Sequence, residues 1–351
     1  MSRFLHTRYA GLETYTPGEQ PRDKQYIKLN TNESPYPPSP EVLAALGPGE
    51  VADLRLYSDP EGTGLREKLA GLYGVTPGQV FLSNGSDDIL NFAFMAFGEK
   101  GAVFPSLTYS FYPVFANLHQ VPYETVPLRE DFSVDVAGKG KLTVLANPNA
   151  PTGLALPLDQ VEALVASNPG HVVVVDEAYV DFGAASAAAL LGRYENLLVV
   201  MTYSKSRSMA GARLGFALGS RELIADLERL KYATNPYNVN RLTLRLGEAA
   251  VDSDPYFRAN ARRIMATRDK TARALREMGF RLPDSQANFL FVTHPRIDGA
   301  RLYQKCRERG ILIRHFSDPA IAQYNRVTIG AEEEMETFLT VVRDILREEG
   351  L

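Results

Sequence analysis

The residues best placed to do chemistry are Lys205, which follows an apolar run at once in TYSKSRSMAGARLGF, and Asp176, which ends the preceding run in HVVVVDEAYVDF. The runs Val172–Val175 and Leu197–Val200 are short, apolar and rich in β-branched residues. That is the pattern of strands buried on both faces of a parallel sheet. Each gives way to side chains unsuited to a core: Asp176, Glu177 and Tyr179 after the first, Thr202, Ser204 and Lys205 after the second. Ligands in open α/β sheets bind beyond the carboxyl ends of the strands. An acid, a phenol, a lysine and Arg213 therefore converge at one mouth.

This set suits pyridoxal 5′-phosphate (PLP), which requires an imine-forming lysine, a carboxylate at the pyridine nitrogen and donors for its phosphate. A lysine beside a strand is ordinarily solvated, and it is the company of Lys205 that marks it out. Arg213 offers a bidentate phosphate contact, and Thr202 and Ser204 add hydroxyls. Asp176 could be a turn acid; opposite a pyridine nitrogen it would keep the ring protonated, with Tyr179 bonded to the ring oxygen. In VFLSNGSDDILNFAFMAF, Gly85 lets the backbone approach a ligand and the helix start at Ser86 and Asp87 offers free N–H groups. The same residues would also make an ordinary helix cap. Tyr109 could stack on a flat ring or simply pack with Phe111, Tyr112 and Phe115. Glu61-Gly62-Thr63-Gly64 only superficially resembles a dinucleotide loop, because no strand precedes it and Glu67 occupies the place of the third glycine.

The 351 residues are enough for one large and one smaller domain. A net charge of −4 argues against a non-specific nucleic-acid binder. Cys306 is the only cysteine and the five histidines lack ligand spacing, so neither a disulfide nor a metal site is expected. No run is long and apolar enough for a membrane span or a secretory signal. A cytoplasmic protein is the expectation.

Positioning these residues falls to an α/β architecture. Residues 1–40 are rich in proline and polar groups and read as an extended arm. Between Glu41 and Gly219, strand candidates (Val80–Ser83, Ala102–Phe104, Thr143–Ala146, Val172–Val175, Leu197–Met201 and Leu214–Leu218) alternate with helical patterns. This predicts a mostly parallel sheet covered by helices. A long helix from Asp254 to Met278 looks like a bridge. Beyond it, strands at Phe289–Val292, Ile311–Arg314 and Arg326–Ile329, with helices at Gly299–Arg309 and Glu332–Glu348, form a smaller α/β unit. The expected division is residues 1–40 as an arm that also joins the small domain, 41–250 as the large domain and 251–351 as the small C-terminal domain.

Taken in order, KLNTNESPYPPSP, YSDPEGTGLREKLA, NGSDD, TYSFYPVFA, NPNAPTG, VVVDEAYVDF, TYSKSRSMAGARLGF, ILIRHF and NRVTIG resemble the fold-type I PLP-dependent aminotransferases nearly end to end. The resemblance is closest to their histidinol-phosphate branch. It implies that Lys205 holds PLP covalently and shuttles the proton, that Asp176 pairs with the pyridinium nitrogen, that Tyr179 bonds the ring oxygen, and that Tyr109 stacks on the ring. The backbone at Ser86 and Asp87, with Thr202, Ser204 and Arg213, would hold the phosphate. Tyr57 would reach that phosphate from the other subunit of a homodimer. Arg326 would grip an amino-acid carboxylate, and Arg314 and Tyr15 would help hold the phosphate of histidinol phosphate. Glutamate and 2-oxoglutarate, with histidinol phosphate and imidazole-acetol phosphate, are the implied substrates.

One position departs from the pattern. Ala150 stands where the superfamily places an asparagine beside the ring oxygen, and Asn149 or Asn147 is expected to take over that contact. A hydrogen bond to a charged oxygen is worth roughly 1.5–3 kcal/mol. Aromatic aminotransferases and threonine-phosphate decarboxylases share the fold and stand as alternatives. A catalytically silent binding protein is a remoter one.

Overall fold

The computed structural model describes residues 2–135 and 139–351. Strand β1 (Ile27–Leu29) lies in the N-terminal arm. Strands β2 (Val80–Ser83), β3 (Ala102–Pro105), β4 (Tyr123–Val126), β5 (Leu142–Ala146), β6 (Val173–Asp176), β7 (Leu197–Thr202) and β8 (Gly215–Leu218) build a seven-stranded sheet in the order β2-β8-β7-β6-β5-β3-β4. All its neighbours pair in parallel except β8, which runs antiparallel to β2 and β7. Strands β9 (Phe289–Val292), β10 (Ile311–His315) and β11 (Asn325–Thr328) join β1 in a four-stranded sheet ordered β1-β10-β11-β9.

Strands β5, β6 and β7 are buried along their whole length, and their side chains divide between two cores. Val173, Val175, Leu197 and Val199 enter one, while Val174, Leu198 and Val200 enter the other. Helices on both faces thus favour apolar residues along these strands, the polar Asp176 and Thr202 falling at their ends. A third core gathers the small sheet against the helices Asp254–Glu277 and Glu332–Glu348. The first of these helices bridges the cores, with Phe257 in the first and Ile264 and Leu275 in the third. Its buried Arg268 donates to the carbonyls of Phe182 (2.8 Å) and Ala287 (3.0 Å). Among the described residues no helix is long and apolar enough to cross a membrane.

Two strands escape the reading of apolar runs. β4 is an edge strand with solvent-exposed side chains, so it needs no apolar run. β1 is three residues long and draws its stability from pairing in parallel with β10, Ile27 against Ile311 and Leu29 against Ile313. The arm is therefore less irregular than its composition suggests.

The start of β8 fixes how closely the segment after β2 approaches the sheet. A Cβ at Gly215 would lie 2.5 Å from the backbone carbon of Gly85 and 2.5 Å from the nitrogen of Ser86. Gly215→Ala is expected to displace that segment and lower stability by about 1–3 kcal/mol, the usual range for overpacking. Denaturant unfolding followed by circular dichroism checks it.

Candidate active site

At one edge of the large sheet, Ala146 pairs with Asp176, Thr202 with Gly215, and Gly215 with Ser83. The ends of β2, β5, β6 and β7 and the start of β8 thus share that edge, and beyond it lies a cavity of ≈ 410 Å³. Ser86, Asp87, Asp176, Thr202, Ser204, Lys205 and Arg213 line it from the large sheet's side, with Tyr109 and Tyr179. Tyr15 of the arm, and Arg314 and Arg326 of the small sheet, close it from the other.

Asp176 ends β6 with its carboxylate buried. Tyr112 donates its phenolic proton to Oδ2 (2.8 Å) and the Ala178 N–H donates to Oδ1 (3.2 Å). Burial pushes the carboxyl up to about 6 against those bonds, with nearby Asp87 adding to the rise and Lys205 opposing it. A cation beside it would hold it ionised. Burial also raises the Tyr112 phenol far above its ordinary range, so it remains a donor. Glu177, next in sequence, points elsewhere. It accepts from Ser186 Oγ (2.5 Å) and the Ala187 N–H (2.6 Å), and burial pushes it up to about 8.

Lys205 Nζ lies 5.8 Å from the Tyr179 ring centroid and donates to the Thr31 carbonyl at 3.4 Å. Arg213 adopts left-handed backbone (φ 53°), which turns its guanidinium toward Ser204 Oγ (3.4 Å) and Asp87 Oδ2 (3.2 Å). Gly85, at φ 89°, leads into the helix Ser86–Phe97, and a Cβ there would come 2.7 Å from Arg213 Nη2. No side chain caps this helix, so its first N–H groups remain available to an anion. Tyr109 donates to Asp87 Oδ1 at 2.8 Å.

Arg326 is half-buried, and its guanidinium meets no carboxylate among the described residues. It donates to the Asn30 carbonyl (3.0 Å) and lies 5.4 Å from the Phe289 ring centroid, while its Nε has no partner. Burial pulls its pKa down. Arg314 faces it across the β10–β11 register and donates to the carbonyls of Thr16 (3.2 Å) and Pro17 (3.3 Å). Tyr15 stacks on Phe111 at 4.4 Å.

The two asparagines expected at the ring oxygen lie outside this cavity. Asn149 directs its amide to the Leu107 carbonyl (3.0 Å) and Thr152 Oγ1 (3.1 Å), holding the NPNAPTG loop together. Asn147 is engaged with the backbone of Leu156 (2.7 and 3.2 Å). Neither lines the cavity, and the wall there is Ala150, so the expected takeover by Asn149 or Asn147 is not what this geometry provides. Tyr57 is 77% exposed and stacks on Tyr237 at 4.4 Å, away from its own chain's cavity. Conversely, Tyr112 and Asn32 were not among the expected site residues. Tyr112 sits in a phenylalanine-rich helix and reads as core, its hydroxyl being the sole clue. Asn32 donates to the Tyr179 hydroxyl oxygen at 2.9 Å from an arm that had no predicted structure.

The donors fit PLP: a buried carboxylate, a helix start with uncapped N–H groups, a lysine and an aromatic ring share one space, and the half-buried Arg326 faces them. Fold and site together define an α/β protein whose cavity is built around a lysine and an uncapped helix start. Residues 24–342 match the family described as aminotransferase class I and II, and the chain belongs to that family. It is 46% identical over 353 residues to a histidinol-phosphate aminotransferase of Brachyspira hyodysenteriae, covering 99% of this chain and 100% of the relative. A second relative, histidinol-phosphate aminotransferase 1 of Bordetella parapertussis, is 47% identical and covers 98% of this chain and 99% of its own. Among solved structures, the histidinol-phosphate aminotransferase of Sinorhizobium meliloti in complex with pyridoxal-5′-phosphate superposes with a TM-score of 0.81, 92% of each chain and 24% identity. That likeness shows the fold, the fold-type I arrangement expected from the motifs.

Glu177 makes stability depend on pH. The unfolded chain releases this proton near 4.5 and the folded chain near 8, so stability falls as pH rises through that window. Glu177→Gln, which keeps the hydrogen-bonding shape, is expected to flatten a decline on the order of a few kcal/mol. Thermal unfolding across the window measures it, and an unchanged slope would show that Glu177 is ionised in the folded state.

Proposed function

We propose that this chain is a PLP-dependent aminotransferase that interconverts histidinol phosphate and 2-oxoglutarate with imidazole-acetol phosphate and glutamate, and that it works as a homodimer. The observation that carries the reading is Arg326, a half-buried cation without a carboxylate partner among the described residues, facing the same cavity as Lys205 and Asp176. Family membership and the names of its near-full-length relatives support it. We take residues 41–250 as the cofactor domain, and 251–351 with part of 1–40 as the small domain.

PLP, when bound, supplies an electron-withdrawing ring that stabilises negative charge at the amine-bearing carbon of the substrate. Asp176, held by Tyr112, keeps the ring nitrogen protonated, and Tyr179 donates to the ring oxygen. Arg213, Thr202, Ser204 and the helix start at Ser86 and Asp87 hold the phosphate, and Tyr109 flanks the ring. Lys205 is the covalent anchor; its freed amine moves the proton at the reacting carbon. The small-domain arginines sort the substrates. Histidinol phosphate carries a phosphate where glutamate carries its α-carboxylate, so one pocket must serve both anions. Arg326 takes the shared role, and Arg314, with Tyr15, favours the dianion.

The test is kcat/KM for histidinol phosphate, tyrosine, phenylalanine and aspartate as amino donors, and for glutamate in the reverse half-reaction. Arg326→Ala is expected to weaken both half-reactions by about 2–5 kcal/mol. Arg314→Ala is expected to hurt histidinol phosphate more than glutamate. A wild-type preference for tyrosine would overturn the substrate, and release of carbon dioxide in place of amino transfer would overturn the reaction.

The exposed Tyr57 is assigned to the partner's phosphate site. Mixed dimers of a Tyr57→Phe chain with a Lys205→Ala chain then hold one intact site and one doubly defective site. Roughly half the wild-type activity per dimer is expected for independent sites, provided the Tyr57→Phe homodimer is itself clearly impaired. Activity no higher than that set by the Tyr57 defect would place Tyr57 in its own chain's site.

A further inference from the structure

We infer that Asn32 fixes the direction of the Tyr179 hydroxyl proton, aiming it into the cavity and so supporting the ring oxygen where Ala150 offers no amide. The inference rests on the proposed PLP site.

Asn32 is 1% exposed and sits in left-handed backbone (φ 55°), a conformation asparagine tolerates better than most residues. Three contacts lock it in place. Its N–H donates to Thr328 Oγ1 at 2.9 Å, the Thr328 hydroxyl donates back to Asn32 Oδ1 at 3.0 Å, and Asn288 Nδ2 donates to the Asn32 carbonyl at 3.0 Å. With Oδ1 so engaged, Nδ2 donates to the Tyr179 oxygen at 2.9 Å.

The opposite orientation of the amide fails on proton accounting. It would set Nδ2 against Thr328 Oγ1, which already accepts from the Asn32 backbone. The Thr328 hydroxyl proton, on a residue 2% exposed, would then have no acceptor. The hydrogen bonds therefore run one way, from the asparagine to the phenol. The Tyr179 oxygen accepts from Asn32, and its own proton remains to be given. Ala150, Ala287 and Phe289 pack against Tyr179 and accept nothing, which leaves the cavity that Tyr179 lines. Asn32 thus acts through Tyr179 and is a positioning residue.

A donor aimed at the ring oxygen stabilises negative charge there and eases loss of the neighbouring proton. It lowers the pH at which the Lys205-bound chromophore changes absorbance. The experiment is an absorbance titration of PLP-loaded wild type, Asn32→Asp, Tyr179→Phe and the double variant. Asn32→Asp keeps the shape, the Thr328 contact and the backbone preference, but it accepts the Tyr179 proton and turns it from the cavity. The midpoint is expected to rise by roughly one unit, and to move much less when Tyr179 is already phenylalanine. Asn32→Gly accepts the same backbone and adds no charge; it should move the midpoint the same way by less, and it serves if the Asp variant does not fold. Glu33, Asp87, Asp176, Lys205, Arg213, Arg314 and Arg326, the other charged groups facing this space, and the phenols of Tyr15 and Tyr109 are unchanged throughout. Equal shifts in both Tyr179 backgrounds, or no shift in either folded Asn32 variant, would overturn the inference. A wild type that takes up no PLP would overturn the site reading and this inference with it.

Discussion

Burial of the central strands on both faces is the constraint from which the rest of the architecture follows. Helices cover β5, β6 and β7 from either side, so no position along them tolerates an unsatisfied polar side chain. Polar chemistry is displaced to the strand ends, and parallel pairing gathers those ends at one edge. Asp176, Thr202 and Lys205 meet because each follows a stretch of chain that excludes them. The antiparallel β8 brings Gly215 to the same edge from the opposite direction, and Arg213 just before it.

Two adjacent acids show how local contacts then divide labour. Asp176 and Glu177 are both buried, and burial raises both. Asp176 opens on the cavity and takes a phenolic donor from Tyr112, a site that a cation can complete. Glu177 is satisfied within the protein by Ser186 and Ala187, and it serves the turn after β6. Arg326 is the converse of Asp176, a cation at the cavity wall held by a carbonyl and an aromatic face and meeting no carboxylate among the described residues.

Much of this is legible in the sequence. β-branched apolar runs announce buried strands, and the residues that interrupt them announce a site, so Lys205, Asp176, Tyr179 and Arg213 could be read directly. β4 was not, since an exposed edge strand carries no apolar run. Neither was β1, whose pairing depends on a partner far along the chain. Tyr112 and Asn32 were hidden for different reasons. A tyrosine among phenylalanines looks like packing until its hydroxyl is placed opposite an acid. Asn32 lies in a proline-rich arm whose course only the small sheet determines. Asn149 was expected at the cavity on proximity to Ala150 alone, but in a tight loop the neighbouring side chain belongs to the loop's own hydrogen bonds.

The parallel pairing of β1 with β10 has a consequence for the order in which the molecule comes together. Thr31 and Asn32, which touch Lys205 and Tyr179, are synthesised long before Ile311–His315, which anchors their strand. The large sheet is complete by Leu218 and can form during synthesis. The arm must wait beside it, unpaired, until the small sheet arrives, because a contact of such sequence separation forms only after the intervening chain exists. One wall of the cavity therefore depends on a strand made well after the large sheet's own strands.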